Sequence, residues 1–199
     1  MKNNNNLPKF FNYQGEGGTE NGYETIQDFF LSWTLRCAPD FYKQIDPNIQ
    51  RISKAILFFL VYGNKIKNTD DFEISEVTTR RQEKRIDLLV FATVKNDGVE
   101  KKYVLNIENK RYTKTTESQL KAAKTFVENQ YAPKGYEIRN LVIFCDDTHI
   151  GKDSNEREKC TQLGYFCTHI GELKEVSGID DSPKTLTGNY LFDEYWFNM

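Results

Sequence analysis

The chain has 199 residues, of which 38% are hydrophobic, 14% aromatic and 28% charged. This composition is typical of a folded globular domain and excludes a disordered chain, and the length favours one domain over two. No apolar run approaches the roughly 20 residues of a membrane span, so we expect no membrane insertion.

The first twenty residues are rich in asparagine and glycine and show no hydrophobic periodicity. We therefore expect a flexible lead-in over residues 1–20 and a single domain over residues 21–199. The polar start lacks the apolar stretch of a secretory signal, which favours a cytoplasmic protein.

Two helices are predicted next. Asn21 can cap the first helix, which ends before Pro39. Asp46 is a strong N-cap for the second helix, because Pro47 occupies its first position and Gly63 follows its last apolar residue. The first helix has its apolar residues at helical spacing, namely Tyr23, Ile26, Phe30 and Trp33. The second has the stripe Ile49, Ile52, Ile56, Phe59 and Leu60.

Strand-like segments then alternate with helical ones. Three strands are predicted at 72–78, 86–94 and 103–110, followed by a helix, a strand at 138–145, a helix at 153–163 and a strand at 165–169. Thr116 and Gln119 form a capping-box pattern at the start of the helix that follows the three strands. This order predicts an α/β fold, with a central mixed β-sheet flanked by helices.

The tail from Tyr190 to Asn198 contains five aromatic residues, which is too apolar a segment to leave exposed. We expect it to dock on the domain, and a subunit contact is the alternative.

The Asp97-Gly98 pair predicts a two-residue hairpin turn between the second and third strands. With that turn, Asp87 falls opposite Glu108 on one face of the sheet, with Cβ atoms about 5 Å apart. Lys110 lies two residues further along the strand and shares that face.

Both strands are apolar on both faces, so we expect them to be central in the sheet and covered. We place Ile86, Leu88 and Val90 on one face, and Leu89 and Phe91 beside the carboxylates on the other. Two facing carboxylates repel each other unless a proton, a lysine or a cation neutralises them. A hard divalent cation fits this need, although an ordinary ion-pair cluster explains the same spacing.

The residues Arg85-Ile86-Asp87-Leu88-Leu89-Val90, then Ile107-Glu108-Asn109-Lys110, then Gln119-Leu120 resemble the motifs of the PD-(D/E)xK nuclease superfamily. The resemblance is strongest to branches with Ile-Glu-Asn-Lys and a following Gln-Leu. It extends over residues 23 to 146 and implies a restriction-endonuclease-like core of αβββαβ order. It also implies a nuclease that hydrolyses phosphodiester bonds with Mg²⁺ or Mn²⁺. One departure is Ile86, which stands where the family has proline.

The resemblance also implies a role for each matching residue. Asp87 and Glu108 would bind the metal, together with the backbone carbonyl of Asn109. Lys110 would orient or deprotonate the attacking water. Gln119 would be the polar residue at the start of the following helix, and Glu24 the glutamate of the first helix. Helix capping explains Gln119 equally well, and the helix dipole explains Glu24 better.

Positive charge is concentrated near these motifs. From Arg80 to Lys124 there are twelve Lys or Arg residues and six Asp or Glu residues, although the whole chain has a net charge of −2. Arg85, Arg111 and Lys114 flank the predicted strand ends and could contact a phosphate backbone. We expect a DNA substrate in restriction, repair or defence, with specificity supplied by a homodimer or a partner subunit. An inactive module that binds nucleic acid or protein is the alternative.

Other acidic and metal-binding side chains leave further alternatives. Asp146 and Asp147 offer a second carboxylate pair, and turn chemistry explains them equally well. The four cysteines, namely Cys37, Cys145, Cys160 and Cys167, include no CxxC pair. A reducing cytoplasm favours free thiols. A zinc site formed with His149 and His169 is a minor alternative, because the spacing matches no structural zinc pattern.

Overall fold

A computed structural model of the chain describes residues 22–64, 66, 69–111, 114–145, 154–179 and 186–198. In chain order these form α1 (Gly22–Arg36), α2 (Pro47–Tyr62), β1 (Phe72–Glu83), β2 (Ile86–Asn96), β3 (Val99–Lys110), α3 (Glu117–Tyr131), β4 (Tyr136–Phe144), α4 (Ser154–Gln162), β5 (Phe166–His169), α5 (Ile170–Ser177) and α6 (Tyr190–Asn198). Short 3-10 helices occupy Asp40–Gln44 and Ala132–Lys134. None of the helices in these ranges combines the length and the apolar character that a membrane span requires. The predicted cap Asn21 and the residues of the predicted lead-in lie outside these ranges.

The five strands form one mixed sheet in the order β1-β2-β3-β4-β5. The first three strands are antiparallel, whereas β4 and β5 run parallel to β3. The predicted turn joins β2 to β3, since Asp97 and Gly98 have φ of 49° and 78°. A similar turn joins β1 to β2, where Lys84 and Arg85 have φ of 54° and 66°. Positive φ at both central residues suits the twist of a tight hairpin. The expected mixed sheet flanked by helices is therefore confirmed.

The larger core lies between one sheet face and the helices α1, α2, α5 and α6. The α2 interpretation is confirmed in detail. Asp46 accepts the backbone N–H groups of Asn48 and Ile49, and Gly63 ends the helix with φ of 72°. Every residue of the predicted α2 stripe is buried.

The tail forms α6 and packs into this larger core, as predicted. Phe192, Tyr195 and Trp196 are each 1% exposed or less. The indole N–H of Trp196 donates to Oγ1 of Thr34 at 2.9 Å, and Tyr195 stacks on Phe30 with ring centroids 4.3 Å apart.

Helix α3 covers the other sheet face. Its Ala123, Val127 and Tyr131 pack with Leu89 and Val104 of the sheet. Nearby, Leu120 joins Val142 and Phe144 of β4 and Cys160 of α4 in a smaller cluster.

The structure departs from the sequence analysis in a few places, and the expected face of Ile86 is wrong. Ile86 packs with Leu89 and Val104 under α3, whereas strict alternation would place it with Leu88. In α1 the predicted apolar residues Ile26, Phe30 and Trp33 do pack against the larger core, partly buried, and Leu31 and Leu35, which the predicted set omits, are fully buried. Helix α5 was not predicted.

The predicted capping box is also wrong. Thr116 occupies the N-cap of α3 without a side-chain capping bond, and the side chain of Gln119 points elsewhere.

Candidate active site

The candidate site lies where β2 begins and β3 ends. The two strands pair from Asn96 and Val99 to Leu88 and Ile107, which confirms the register predicted from the turn. The assigned pairing stops one residue before Asp87 and Glu108. These acids therefore stand together at the ends of adjacent strands.

Two side chains converge on the carboxylate of Glu108. Nζ of Lys110 lies 2.6 Å from Oε1 of Glu108, and Nε2 of Gln119 donates to the same oxygen at 2.9 Å. Alternation along β3 places Glu108 and Lys110 on the sheet face that α3 covers. Glu108 is 4% exposed and Lys110 is 7% exposed. Each charge is therefore stabilised mainly by the other and only weakly by water.

The carboxylate of Asp87 lies against the peptide that follows Glu108. Its Oδ2 accepts the backbone N–H of Asn109 at 2.9 Å, and Nε2 of Gln82 approaches its Oδ1 at 3.4 Å. Gln82 has φ of 56°, a conformation uncommon outside glycine. Backbone strain of this kind is frequent at functional sites, and here it accompanies a side chain directed at two acids.

The second of those acids is Asp28 of α1, a residue that the sequence patterns do not single out. It is 2% exposed, and its Oδ1 accepts a hydrogen bond from Nδ2 of Asn109 at 2.5 Å. Nε2 of Gln82 approaches its other oxygen at 3.4 Å. Burial, and then the charge of nearby Asp87, raises the pKa of Asp28 to about 7. A cation bound beside Asp28 and Asp87 would favour the ionised form of both.

Three buried side chains connect Asp28 to the end of β4. The thiol of Cys145 donates to Oε1 of Gln27 at 2.9 Å, and Nε2 of Gln27 donates to Oδ1 of Asn109 at 2.8 Å. Asn109 in turn donates to Asp28. Each hydrogen bond of this network is donated in the direction of Asp28. The network therefore holds Asn109 in one orientation and ends at the Asp28 carboxylate.

The other predicted site residues lie in the segments around these strand ends, and the structure describes some of them more fully than others. Glu24 lies in α1, one helical turn before Asp28, but its side chain is outside the described residues. Arg85 is exposed in the β1–β2 turn, and its carbonyl accepts from Gln119 at 3.4 Å. Arg111 directly follows β3 and is half-buried, whereas Lys114 is exposed in the loop before α3.

The oxygen donors at the site suit a divalent cation. Within the described ranges, no three His, Cys, Asp or Glu side chains are close enough to share one ion. Magnesium needs fewer than three such side chains, since its usual ligands in proteins are one or two carboxylates together with main-chain and water oxygens. Asp87 and Glu108 with the carbonyl of Asn109 match that set. Burial, and then the charge of nearby Asp87, raises the pKa of Asp28, and a cation bound there would oppose both effects.

The zinc alternative gains no support from the described residues. The cysteines are free thiols, and the thiol of Cys145 bonds Gln27. Asp146, Asp147 and His149, which belong to alternative sites, lie outside the described residues.

A sequence model of the PD-(D/E)XK nuclease superfamily matches residues 10–184 of the chain. No curated protein and no solved structure matches it significantly. The matched range includes β1 to β4, α3 and every residue of the site described above.

Proposed function

The chain belongs to the PD-(D/E)XK nuclease superfamily, and we propose that it is an active metal-dependent nuclease acting on DNA. The observation that carries the proposal is the buried pair of Glu108 and Lys110, bonded by the half-buried Gln119, beside Asp87 at the ends of two adjacent strands. Burying an acid and a lysine together costs desolvation energy, and a hydrophobic pair would fill the same space at less cost. A catalytic role accounts for their retention there.

Asp87 and Glu108 would hold Mg²⁺ or Mn²⁺, with the carbonyl of Asn109 as a main-chain ligand. When bound, the ion acts as a Lewis acid that stabilises negative charge on the phosphoryl oxygens and lowers the pKa of water. Asp28, once ionised beside the cation, would add a third negative charge near Asp87.

Lys110 would position the attacking water and, as an ammonium ion, neutralise charge on the phosphate. It could take the proton of that water only in its neutral amine form. Glu108 holds the ammonium group at the site, with 2.6 Å between Nζ and Oε1. Gln119 donates to the same oxygen and so fixes which way the carboxylate faces. This group would therefore be ordered before substrate arrives, which is the preorganisation that catalysis requires.

Basic residues around the strand ends suit a polyanionic substrate. Arg85, Arg111 and Lys114 would contact backbone phosphates on either side of the scissile bond. The proposed setting is restriction, repair or defence in the cytoplasm, with a second copy or a partner subunit supplying specificity.

The test is cleavage of plasmid and single-stranded DNA with Mg²⁺, with Mn²⁺ and with EDTA. Lys110→Ala and Asp87→Asn should each lower the cleavage rate by about 10²-fold or more. Lys121→Ala is the matched control, because it removes an exposed lysine that pairs with Glu117 on the surface of α3. It should leave the rate unchanged.

The alternative is a module that keeps the fold and binds nucleic acid or protein without cleaving. Folded wild-type protein that binds DNA but gives no cleavage with either metal would favour that alternative. Cleavage that persists equally in Lys110→Ala and Asp87→Asn would refute the assigned roles.

A further inference from the structure

A cleft of about 320 Å³ opens on the sheet face that carries Glu108 and Lys110. Its floor is formed by β1 and β2, and one wall is formed by the end of α3 and the turn that follows. Its lining includes Arg80, Phe91, Tyr131, Lys134, Tyr136 and Glu76. Phe91 packs with Val104, which places the cleft on the α3 side of the sheet.

Three aromatic rings meet edge to face in this cleft. The ring centroid of Phe91 lies 5.1 Å from that of Tyr131 and 5.9 Å from that of Tyr136. Phe91 and Tyr136 are half-buried, whereas Tyr131 is 5% exposed. Part of the aromatic surface therefore faces the open cleft.

Two cations stand over these rings. The guanidinium of Arg80 lies 5.2 Å from the centroid of Phe91, and Nζ of Lys134 lies 5.2 Å from the centroid of Tyr131. Arg80 also pairs with Glu83 at 3.3 Å, but its side chain is 60% exposed, so this pair restrains it weakly. Glu76 also lines the cleft, and Glu83 lies beside Tyr131, so the two cations are balanced by two carboxylates and contribute as local contacts.

The cleft is separate from the candidate active site but connected to it by rigid elements. Phe91 lies four residues after Asp87 on β2, a distance of about 13 Å along the strand. Helix α3 runs from Gln119, which touches Glu108, to Tyr131 at the cleft, about 18 Å along the helix axis. A bound strand could therefore occupy both places at once.

We infer that this cleft binds an unpaired nucleotide of the substrate strand. The base would stack on the Phe91 ring, with its edge against Tyr136, which stands nearly perpendicular to Phe91. The exposed Arg80 side chain would move from over Phe91 to contact the phosphate, together with Lys134. Aromatic rings combined with cations are the usual means of holding single strands, because a base within a duplex cannot offer its face. The inference rests on the proposed nuclease function and narrows its substrate to nucleic acid with a single-stranded segment beside the cleaved bond.

The experiment measures binding by fluorescence anisotropy in the Lys110→Ala background, which separates binding from cleavage. The probes are a labelled single-stranded oligonucleotide, a duplex with a single-stranded overhang and a blunt duplex. The cleft variants are Phe91→Leu, which keeps apolar volume, and Arg80→Gln, which changes an exposed side chain and should fold normally. Phe41→Leu is the matched control, because Phe41 is a 67% exposed aromatic residue of the first 3-10 helix, outside the cleft.

Both cleft variants should weaken binding of the two single-stranded probes about fivefold or more. Binding of the blunt duplex should stay unchanged, as should all binding by Phe41→Leu. Equal losses for blunt and single-stranded probes, or no loss in either cleft variant, would overturn the inference. Failure of the Lys110→Ala parent to bind any probe, shared by the wild-type protein, would instead refute the proposed nucleic-acid function itself.

Discussion

Asp28 should make the metal-free protein less stable as the pH rises. Burial and the neighbouring Asp87 raise its pKa to about 7, from an ordinary value of 3.8. The folded protein therefore holds a proton between about pH 4 and pH 7 that the unfolded chain has already released. By linkage, the free energy of unfolding falls as the pH rises through this window, and the loss is complete above pH 7.

The size of the effect follows from the difference between the two pKa values. Each tenfold change in protonation is worth about 1.4 kcal/mol, so the full effect is about 4 kcal/mol. Asp28→Asn replaces the carboxylate by a neutral group of the same shape and should remove this dependence. Its amide oxygen can still accept from Asn109, but its amide nitrogen then faces Nε2 of Gln82, which must rotate. We therefore expect a gain of about 1–3 kcal/mol at pH 8.

The assay is urea unfolding in EDTA at several values between pH 4.5 and pH 8.5. Asp97→Asn is the matched control, since Asp97 is an exposed turn residue and asparagine also tolerates its φ of 49°. The wild-type and Asp97→Asn proteins should lose stability in parallel as the pH rises, whereas Asp28→Asn should lose less. Parallel curves for all three proteins would refute the argument that burial and the nearby charge of Asp87 raise the pKa of Asp28.

Three further changes test the described contacts. Gln119→Ala should lower the cleavage rate about tenfold and the free energy of unfolding by about 1–3 kcal/mol, because its side chain bonds the buried carboxylate of Glu108 and does not cap α3; lower stability with normal cleavage would restore the capping interpretation. Glu156→Ala should lower the free energy of unfolding by about 1–3 kcal/mol in urea, since it leaves the buried N–H of Thr115 without its carboxylate acceptor; equal stability would show that water replaces that acceptor. Trp196→Ala should cost about 3–5 kcal/mol in the same assay, because the side chain is fully buried; a cost below 1 kcal/mol would mean that α6 does not contribute to the core.

The features that the sequence predicted well are those governed by local chemistry. Asp97-Gly98 determines the turn, and the turn determines the register that brings Asp87 and Glu108 to adjacent strand ends. Asp46 and Gly63 likewise mark the ends of α2, because capping depends on a few neighbouring residues.

Asp28 was missed because apolar periodicity identifies buried faces only where they are apolar. Helix α1 buries a face that is polar at its start, with Gln27 and Asp28 preceding Leu31. Gln27 and Leu31 are four residues apart and lie on one side of the helix. One sequence signal could have identified Asp28. It is the polar pair one turn before a buried leucine, in a helix that packs on an acidic site.

Gln119 shows why local patterns can mislead. Its spacing from Thr116 fits a capping box, and nothing nearby in the sequence decides between a cap and a role at the site. The decision depends on Glu108, eleven residues earlier, which offers a charged acceptor in a buried setting. A hydrogen bond to a buried carboxylate is stronger than one to an exposed helix end, so the distant contact prevails.

Asn109 explains how one short segment of β3 can organise both sides of the sheet. Alternation directs Glu108 and Lys110 toward α3 and the side chain of Asn109 toward α1. Through that side chain it bonds Gln27 and Asp28, and through its backbone N–H it bonds Asp87. The residue between the acid and the lysine therefore does more than separate them: it fixes two further carboxylates relative to Glu108. Because Asn109 can both donate and accept, neither an apolar residue nor an acid at this position could make the same set of bonds.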